Sequence, residues 1–401
     1  MTDSRFVPPV LPGMPPLRPI RAGGQPAVDD IVGRIYDIAR TWDRLSAGSC
    51  LLNEPRRMGK TSLLTKMGRG SKPAGWEFIH GSVQGISSTA ELAARVLADI
   101  GRHQCLADKV TQTVRAFLES GDVEVGPVKL SAAFRESPLH ALEKALGDVS
   151  KHLEADGKYL AIAWDEFPDM VVSVSESEGP ERAASLLGTL RRFREQNPER
   201  IHWLLTGSVG LHHAMRRLSS SGEQYVTDLE AVPLGPLSPE WARWLAGCLL
   251  LGSGCRFDTA AIVELASTSD GIPYLLHLLV GWARDHDHRE VAAVDVPGLF
   301  YDAIGNLDVS HQSTHLLSRL GDYYGDDTAL AEWLLDRTAR DPATRADLVA
   351  EAPAKRTRER DVRRLLELLD RDHYIRVTPG GLYTWRYDAL RRIWIQRRGN
   401  Q

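Results

Sequence analysis

Residues Ser49 to Leu64 constrain this chain more than any other stretch. Ser49–Leu52 is a short apolar strand, Asn53–Met58 a turn, Gly59-Lys60-Thr61 follows, and Ser62-Leu63-Leu64 begins a helix. A loop between a strand and a helix N-terminus aims backbone N–H groups and the positive end of the helix dipole at one point, which is the geometry that wraps a phosphate. In such a loop Lys60 neutralises the β and γ charges and the Thr61 hydroxyl ligates Mg²⁺. A strand feeding a helix in this way belongs to an α/β unit with a mostly parallel sheet. The motif departs from GxxxxGK[ST] at one place, where Glu54 stands for the first glycine. A side chain there requires a backbone that avoids φ > 0 and a carboxylate turned away from the phosphates.

A second motif supplies what the first lacks. Tyr159–Trp164 is an apolar strand that ends in Asp165-Glu166. A magnesium ion beside a triphosphate needs an acid at the C-terminal edge of a neighbouring strand, and hydrolysis needs a second acid to polarise water. Asp165 fits the first role and Glu166 the second. Together the two motifs predict a nucleoside triphosphate binder that uses Mg²⁺.

The rest of the chain alternates short apolar runs with amphipathic helices. Ser49–Leu52, Trp76–Gly81, Tyr159–Trp164, Ile201–Thr206 and Val226–Val232 read as strands, and Leu92, Val96, Leu97 and Ile100 mark a helix between them. Val123–Phe134, broken by Gly126-Pro127, reads as an inserted hairpin before a helix that begins near Ser137. After Pro236 strands give way to helices at Pro239–Leu250, Thr259–Ser267, Pro273–Arg284 and Val294–Gly305. Further on, Val362, Leu365, Leu366 and Leu369 lie on one helix face. His373–Val377, a Thr378–Gly381 turn, Leu382–Tyr387 and a last helix with Arg391, Arg392 and Trp394 complete a winged-helix pattern. The organisation expected is therefore a proline-rich arm at 1–28, a P-loop α/β core at 29–236, a helical lid at 237–308 and a winged-helix domain at 309–401.

Composition excludes other classes. Apolar residues at 43% and charged residues at 25% are globular values. Four cysteines, irregularly spaced, make neither a disulfide framework nor a zinc site, so a reducing cytoplasm is expected. Six prolines in Met1–Ile20 read as an extended arm and not as a signal peptide. The apolar stretch Trp244–Leu251 is far short of the ~20 residues of a membrane span, so no membrane partner is expected. Charge is uneven, +6 over residues 351–401 against −10 elsewhere, which points to nucleic acid, an acidic partner or a solvated arginine-rich face.

Asp30–Arg34, Pro55–Leu64, Trp164–Pro168, Leu204–Ser208 and Asp270–Tyr274, in that order, resemble the AAA+-related prokaryotic ATPases of the STAND class, with an archaeal-ATPase-like or ORC-like core, over about residues 28–300. The resemblance implies a phosphate loop built from Pro55, Arg56, Arg57, Met58, Gly59, Lys60, Thr61 and Ser62, with Gly33 and Arg34 against the adenine. It implies Thr206 or Ser208 as the polar sensor of the γ-phosphate and Pro273 as a lid residue against the base. An arginine after the sensor, Arg217 or Arg216, would reach a neighbouring subunit's nucleotide, which implies self-association.

The function so implied is an ATPase, with ATP/ADP and Mg²⁺ as cofactors, working as a nucleotide-operated switch. It would act on a separate effector or partner protein, in signalling or in defence against phage, with no nuclease, TIR or protease domain in this sequence. The winged helix would then be an intramolecular clamp. The rival is a DNA-binding ATPase similar to replication initiators or transposition regulators, with Thr357–Leu369 as recognition helix and Arg358, Arg360, Arg363, Arg364, Arg376 and Arg386 at phosphates. A third reading, prompted by Glu54, is a pseudo-ATPase scaffold that binds nucleotide without turnover.

Overall fold

A computed structural model describes residues 14–20, 24–70, 72–102, 123–125, 128–130, 137–196, 199–207, 211–218, 222–306, 320–353 and 359–399. They fall into two compact units. Residues 35–53 and 63–233 form one, and residues up to 34, 54–62 and 234 onward form the other.

The first unit is built on β1 (Cys50–Asn53), β2 (Trp76–Ser82), β5 (Tyr159–Asp165), β6 (Ile201–Gly207) and β7 (Glu230–Ala231), all parallel in the order β2-β5-β6-β1-β7. A small antiparallel hairpin, β3 (Val123–Val125) with β4 (Val128–Leu130), lies where the Gly126-Pro127 break predicts it. β5 and β6 are almost wholly buried because parallel strands carry helices on both faces, and that is why they read as unbroken apolar runs. Leu92, Val96, Leu97 and Ile100 all enter the core with Leu142, Leu146 and Trp203. Trp42 packs edge-on against Trp76 and Phe78. A buried Arg194 grips Asp228 through Nε at 2.6 Å and Nη2 at 2.9 Å, fixing the segment that returns to the sheet.

That segment is where the expected strand differs. Val226–Val232 is not extended throughout: Gly222–Val226 forms a 3-10 turn, and Thr227 and Leu229 donate backwards to Gln224 and Val226. Local turn bonds take the N–H groups that a full edge strand would need, so only Glu230–Ala231 pairs with β1.

In the second unit, helices Pro239–Ser253, Thr259–Thr268, Pro273–Asp285 and Val296–Gly305 form a helical layer with the short pair β8 (Arg256–Phe257) and β9 (Glu290–Val291). Ser238 and Asp258 cap the first two of these helices through their side chains. The arm residues 14–20 lie on this layer. Leu17 N–H donates to the Cys248 carbonyl at 2.9 Å, and a Cβ at Gly252 would stand 2.0 Å from the Leu17 oxygen. Glycine is what allows that backbone approach.

The C-terminal segment holds helices Thr328–Arg340, Arg345–Glu351, Glu359–Arg371 and Asp388–Gly399. They surround an antiparallel sheet of β10 (Ala343–Thr344), β12 (Leu382–Trp385) and β11 (Ile375–Val377). Val362, Leu365, Leu366 and Leu369 are fully buried, as their spacing predicts. Among the described residues no helix is long and apolar enough to cross a membrane.

The arm is also tied by the Ile20 N–H, which donates to His277 Nδ1 at 3.2 Å. Burial pushes the His277 imidazole down to about 4, which keeps it neutral and able to accept. Below its unfolded pKa of ~6.5 the unfolded chain takes up a proton that the folded chain refuses, so stability falls with pH, by about 2 kcal/mol at pH 5. Urea midpoints at pH 7.5 and 5 should therefore differ more for the wild type than for His277→Asn.

Candidate nucleotide site

The loop after β1 has the backbone its sequence requires. Arg57 at φ 71° and Gly59 at φ 92° are left-handed, and Lys60 is the first residue of the helix Lys60–Arg69. Alternation of left-handed residues with ordinary ones turns successive N–H groups inward, which makes an anion-binding concavity. Lys60 is buried, and its Nζ donates to the carbonyls of Glu54 at 2.6 Å and Pro55 at 2.9 Å, so the ammonium is held over the loop. Thr61 and Ser62 follow in the first helical turn, half-buried, and that turn has no acidic residue to oppose an anion.

Glu54 meets both conditions on a side chain at the first glycine position. It is not left-handed, and its carboxylate turns to other partners: Oε1 accepts the Leu234 N–H at 3.0 Å, and Oε2 stands 3.9 Å from His373 Nδ1.

Arg34 is a structural member of the loop. Gly33 and Arg34 are both left-handed, and a Cβ on Gly33 would press Trp241 Cγ at 3.0 Å. That sharp turn delivers the buried Arg34 guanidinium to the Met58 carbonyl at 2.6 Å and the Gly235 carbonyl at 2.8 Å. A planar fork can bridge two acceptors that a single ammonium cannot. Arg34→Lys is expected to lower stability by about 2 kcal/mol, read as a shift in the urea midpoint, because one buried carbonyl loses its donor.

Arg56 is half-buried, and Arg57 lays its guanidinium 4.8 Å over the Tyr274 ring. Tyr274 follows Pro273, which opens the helix Pro273–Asp285. Burial raises the Tyr274 hydroxyl pKa and the neighbouring Arg57 opposes that. Just before it, Asp270 sits at φ 50° and its carboxylate accepts the Ala389 N–H at 2.6 Å, at the start of the last helix. Burial is the main force pushing the Asp270 carboxyl pKa up.

In the sheet unit, Asp165 ends β5, buried, and the Thr206 hydroxyl at the end of β6 donates to its Oδ1. The Glu166 N–H donates to the same oxygen at 3.1 Å. Glu166 is itself left-handed, φ 59°, at the cap of helix Phe167–Glu178. A long side chain at positive φ is strained, and here the turn ends the strand abruptly. β1 lies next to β6 with Asn53 opposite Gly207, so the chain enters the Lys60 loop from the strand beside the one that carries Thr206.

The structure thus groups Arg34, Met58 and Lys60 with Arg57, Tyr274 and Pro273 in one unit, and Asp165, Glu166 and Thr206 in the other. Ser208 lies outside the described residues. Arg217 lies on helix Leu211–Leu218 with its side chain outside them, and Arg216 on the same helix is exposed. Sequence reasoning missed Tyr274 and His373. Tyr274 has a signal in hindsight, an aromatic at a helix start facing an arginine-rich loop; His373 has none, because its approach to Glu54 is set by packing.

No protein-family model and no curated protein sequence matches the chain. Solved structures do. A Walker-type ATPase of Pyrococcus abyssi superposes with a TM-score of 0.63 at 17% identity, covering 92% of this chain and 98% of that one. The ORC2 protein of Aeropyrum pernix, solved with ADPNP and ADP, gives 0.48 at 14% identity, covering 92% and 95%. The RuvB Holliday junction branch migration motor of Thermotoga maritima gives 0.33 at 13% identity, covering 89% and 94%. The first of these establishes the fold. The chain has the α/β architecture of P-loop ATPases, with a five-stranded parallel sheet.

Proposed function

We propose that this protein binds and hydrolyses ATP as a molecular switch of the STAND/AAA+ type. The observation that carries the reading is the Thr206–Asp165–Glu166 cluster at the ends of adjacent strands in a sheet whose neighbouring strand feeds the Lys60 loop. The loop N–H groups from Pro55 to Ser62, the helix N-terminus and Lys60 hold the phosphates, and Gly33-Arg34 and Pro273 border the base. Oxygen donors are what a hard cation takes, so the Thr61 hydroxyl and the Asp165 carboxylate are assigned to Mg²⁺. The ion, when bound, would supply neutralisation of charge on the transferred phosphoryl group. Thr206 orients Asp165, and Glu166 takes the proton of the attacking water; Ser208 and Arg217 are assigned to the γ-phosphate and to a neighbouring copy.

The four-part organisation expected from sequence serves this reading: arm, core, lid and a C-terminal winged helix used as a clamp. Asp270 supports the clamp, because it links the lid element Asp270–Pro273 to the first turn of the last helix. DNA contact through that domain is the weaker reading. Arg363 pairs with Glu367, Arg364 with Asp327, Arg386 with Asp370 and Arg360 with Asp361, so these cations are partly neutralised on their own surface. Exposed pairs of this kind are worth only ~0–1 kcal/mol, but phosphate contacts would have to break them. Output through self-association and a separate partner protein, in signalling or phage defence, completes the proposal.

Phosphate release and light scattering on the full chain with ATP and Mg²⁺, with and without duplex DNA, test it. Turnover with an ATP-dependent change of assembly that DNA leaves unaltered is the expected result. Salt-dependent DNA affinity lost in Arg363→Ala/Arg364→Ala would favour the rival.

A further inference from the structure

Glu54 departs from the phosphate-loop pattern, and its side chain turns to other parts of its own unit. It is 5% exposed, and its two oxygens face two different parts of the same unit. One accepts the Leu234 N–H at 3.0 Å, where the chain enters the helical layer. The other faces His373 Nδ1 at 3.9 Å, a contact longer than a hydrogen bond.

His373 is held in place by its own surroundings. It is left-handed, φ 60°, in the turn between helix Glu359–Arg371 and β11, with its N–H on the Asp370 carbonyl at 3.0 Å. The adjacent Asp372 is buried and accepts the Tyr324 hydroxyl at 2.7 Å. Burial and then the Glu54 charge push the phenol of Tyr387, just before the last helix, up to about 12. The turn that carries His373 therefore faces the Glu54 carboxylate. A glycine at position 54 would leave the Leu234 N–H without this acceptor and His373 without this anion.

We propose that Glu54 is a positioning residue, a strut that ties the phosphate loop to the C-terminal segment through His373 and transmits the state of the loop to it. Glu54 is then a coupling device and not a decayed glycine. The inference rests on the reading of the loop as a nucleotide site, and it names how that site is regulated. A shift of the loop by a few tenths of an ångström changes a 3.9 Å contact directly.

The test is amide hydrogen exchange of residues 372–390 in the full chain, with and without AMP-PNP and Mg²⁺. It compares wild type, Glu54→Gln, Glu54→Gly, His373→Ala and the Glu54→Gln/His373→Ala double variant, each also titrated with a fluorescent ADP. In wild type the nucleotide is expected to change exchange in this segment by about threefold or more. Each single variant should lose most of that response, and the double variant should lose no more than either single, the signature of one shared interaction. Glu54→Gln keeps the volume and an acceptor for Leu234, so it is informative even if Glu54→Gly folds poorly. A full response in Glu54→Gln and His373→Ala, or additive losses, overturns the strut. If wild type binds no fluorescent ADP, the nucleotide reading falls instead. The strut is then judged without nucleotide, where equal exchange of 372–390 in wild type, Glu54→Gln and His373→Ala overturns it as well.

Discussion

Lys60→Ala is expected to weaken ATP binding about 100-fold, the loss of about 2–3 kcal/mol from a charge-assisted contact to phosphate. Lys60 is the cation of the loop, and its ammonium is already drawn over the loop by the Glu54 and Pro55 carbonyls. Those two carbonyls are buried and lose their donor when the side chain is gone, so stability should also fall, by about 1–3 kcal/mol. A urea midpoint checks that the variant is still folded, and a fluorescent-nucleotide titration on it shows the lost affinity. An unchanged affinity would mean that phosphate does not sit in this loop, and the function would have to be sought in the C-terminal segment.

Glu166→Gln is expected to slow ATP hydrolysis by about 10²–10⁴-fold while leaving nucleotide binding close to wild type, because it removes a general base and keeps the shape of the side chain. The backbone at Glu166 is left-handed for either residue, and the N–H bond to Asp165 is made by the main chain, so neither changes. Single-turnover phosphate release against a binding titration separates the two effects. Retained ATP should also hold the protein in its ATP-bound assembly, visible as a larger scattering mass. If wild type and Glu166→Gln release phosphate equally slowly, the chain binds nucleotide without using this carboxylate and the scaffold reading gains.

The same residues show what was legible beforehand. Strand β5 and its terminal Asp165-Glu166 were readable because a run buried on both faces is written as consecutive apolar residues, and a carboxylate ending such a run has few structural reasons to be there. The strand–loop–helix around Lys60 was readable because it is local, fixed within sixteen residues of chain. The helix Glu359–Arg371 declared its buried face by its spacing. Val226–Val232 misled because apolar residues flank turn-forming ones there, and the bonds that decided between turn and strand come from neighbours in space.

By itself, then, the sequence determined the local elements, their order, the strand–loop–helix around Lys60 and the acidic strand end, since each is specified by periodicity or by contacts a few residues apart. Only the tertiary structure decided what surrounds them. Arg34 finds its second acceptor 201 residues away at Gly235, Glu54 finds Leu234 180 residues on, and Asp270 finds Ala389 across 119. Such partners are chosen by which buried polar groups packing brings within reach, and an unsatisfied one costs about 1–3 kcal/mol. No local pattern records that choice, which is why Glu54 looked like a flaw in the motif until the side chain's partners were in view.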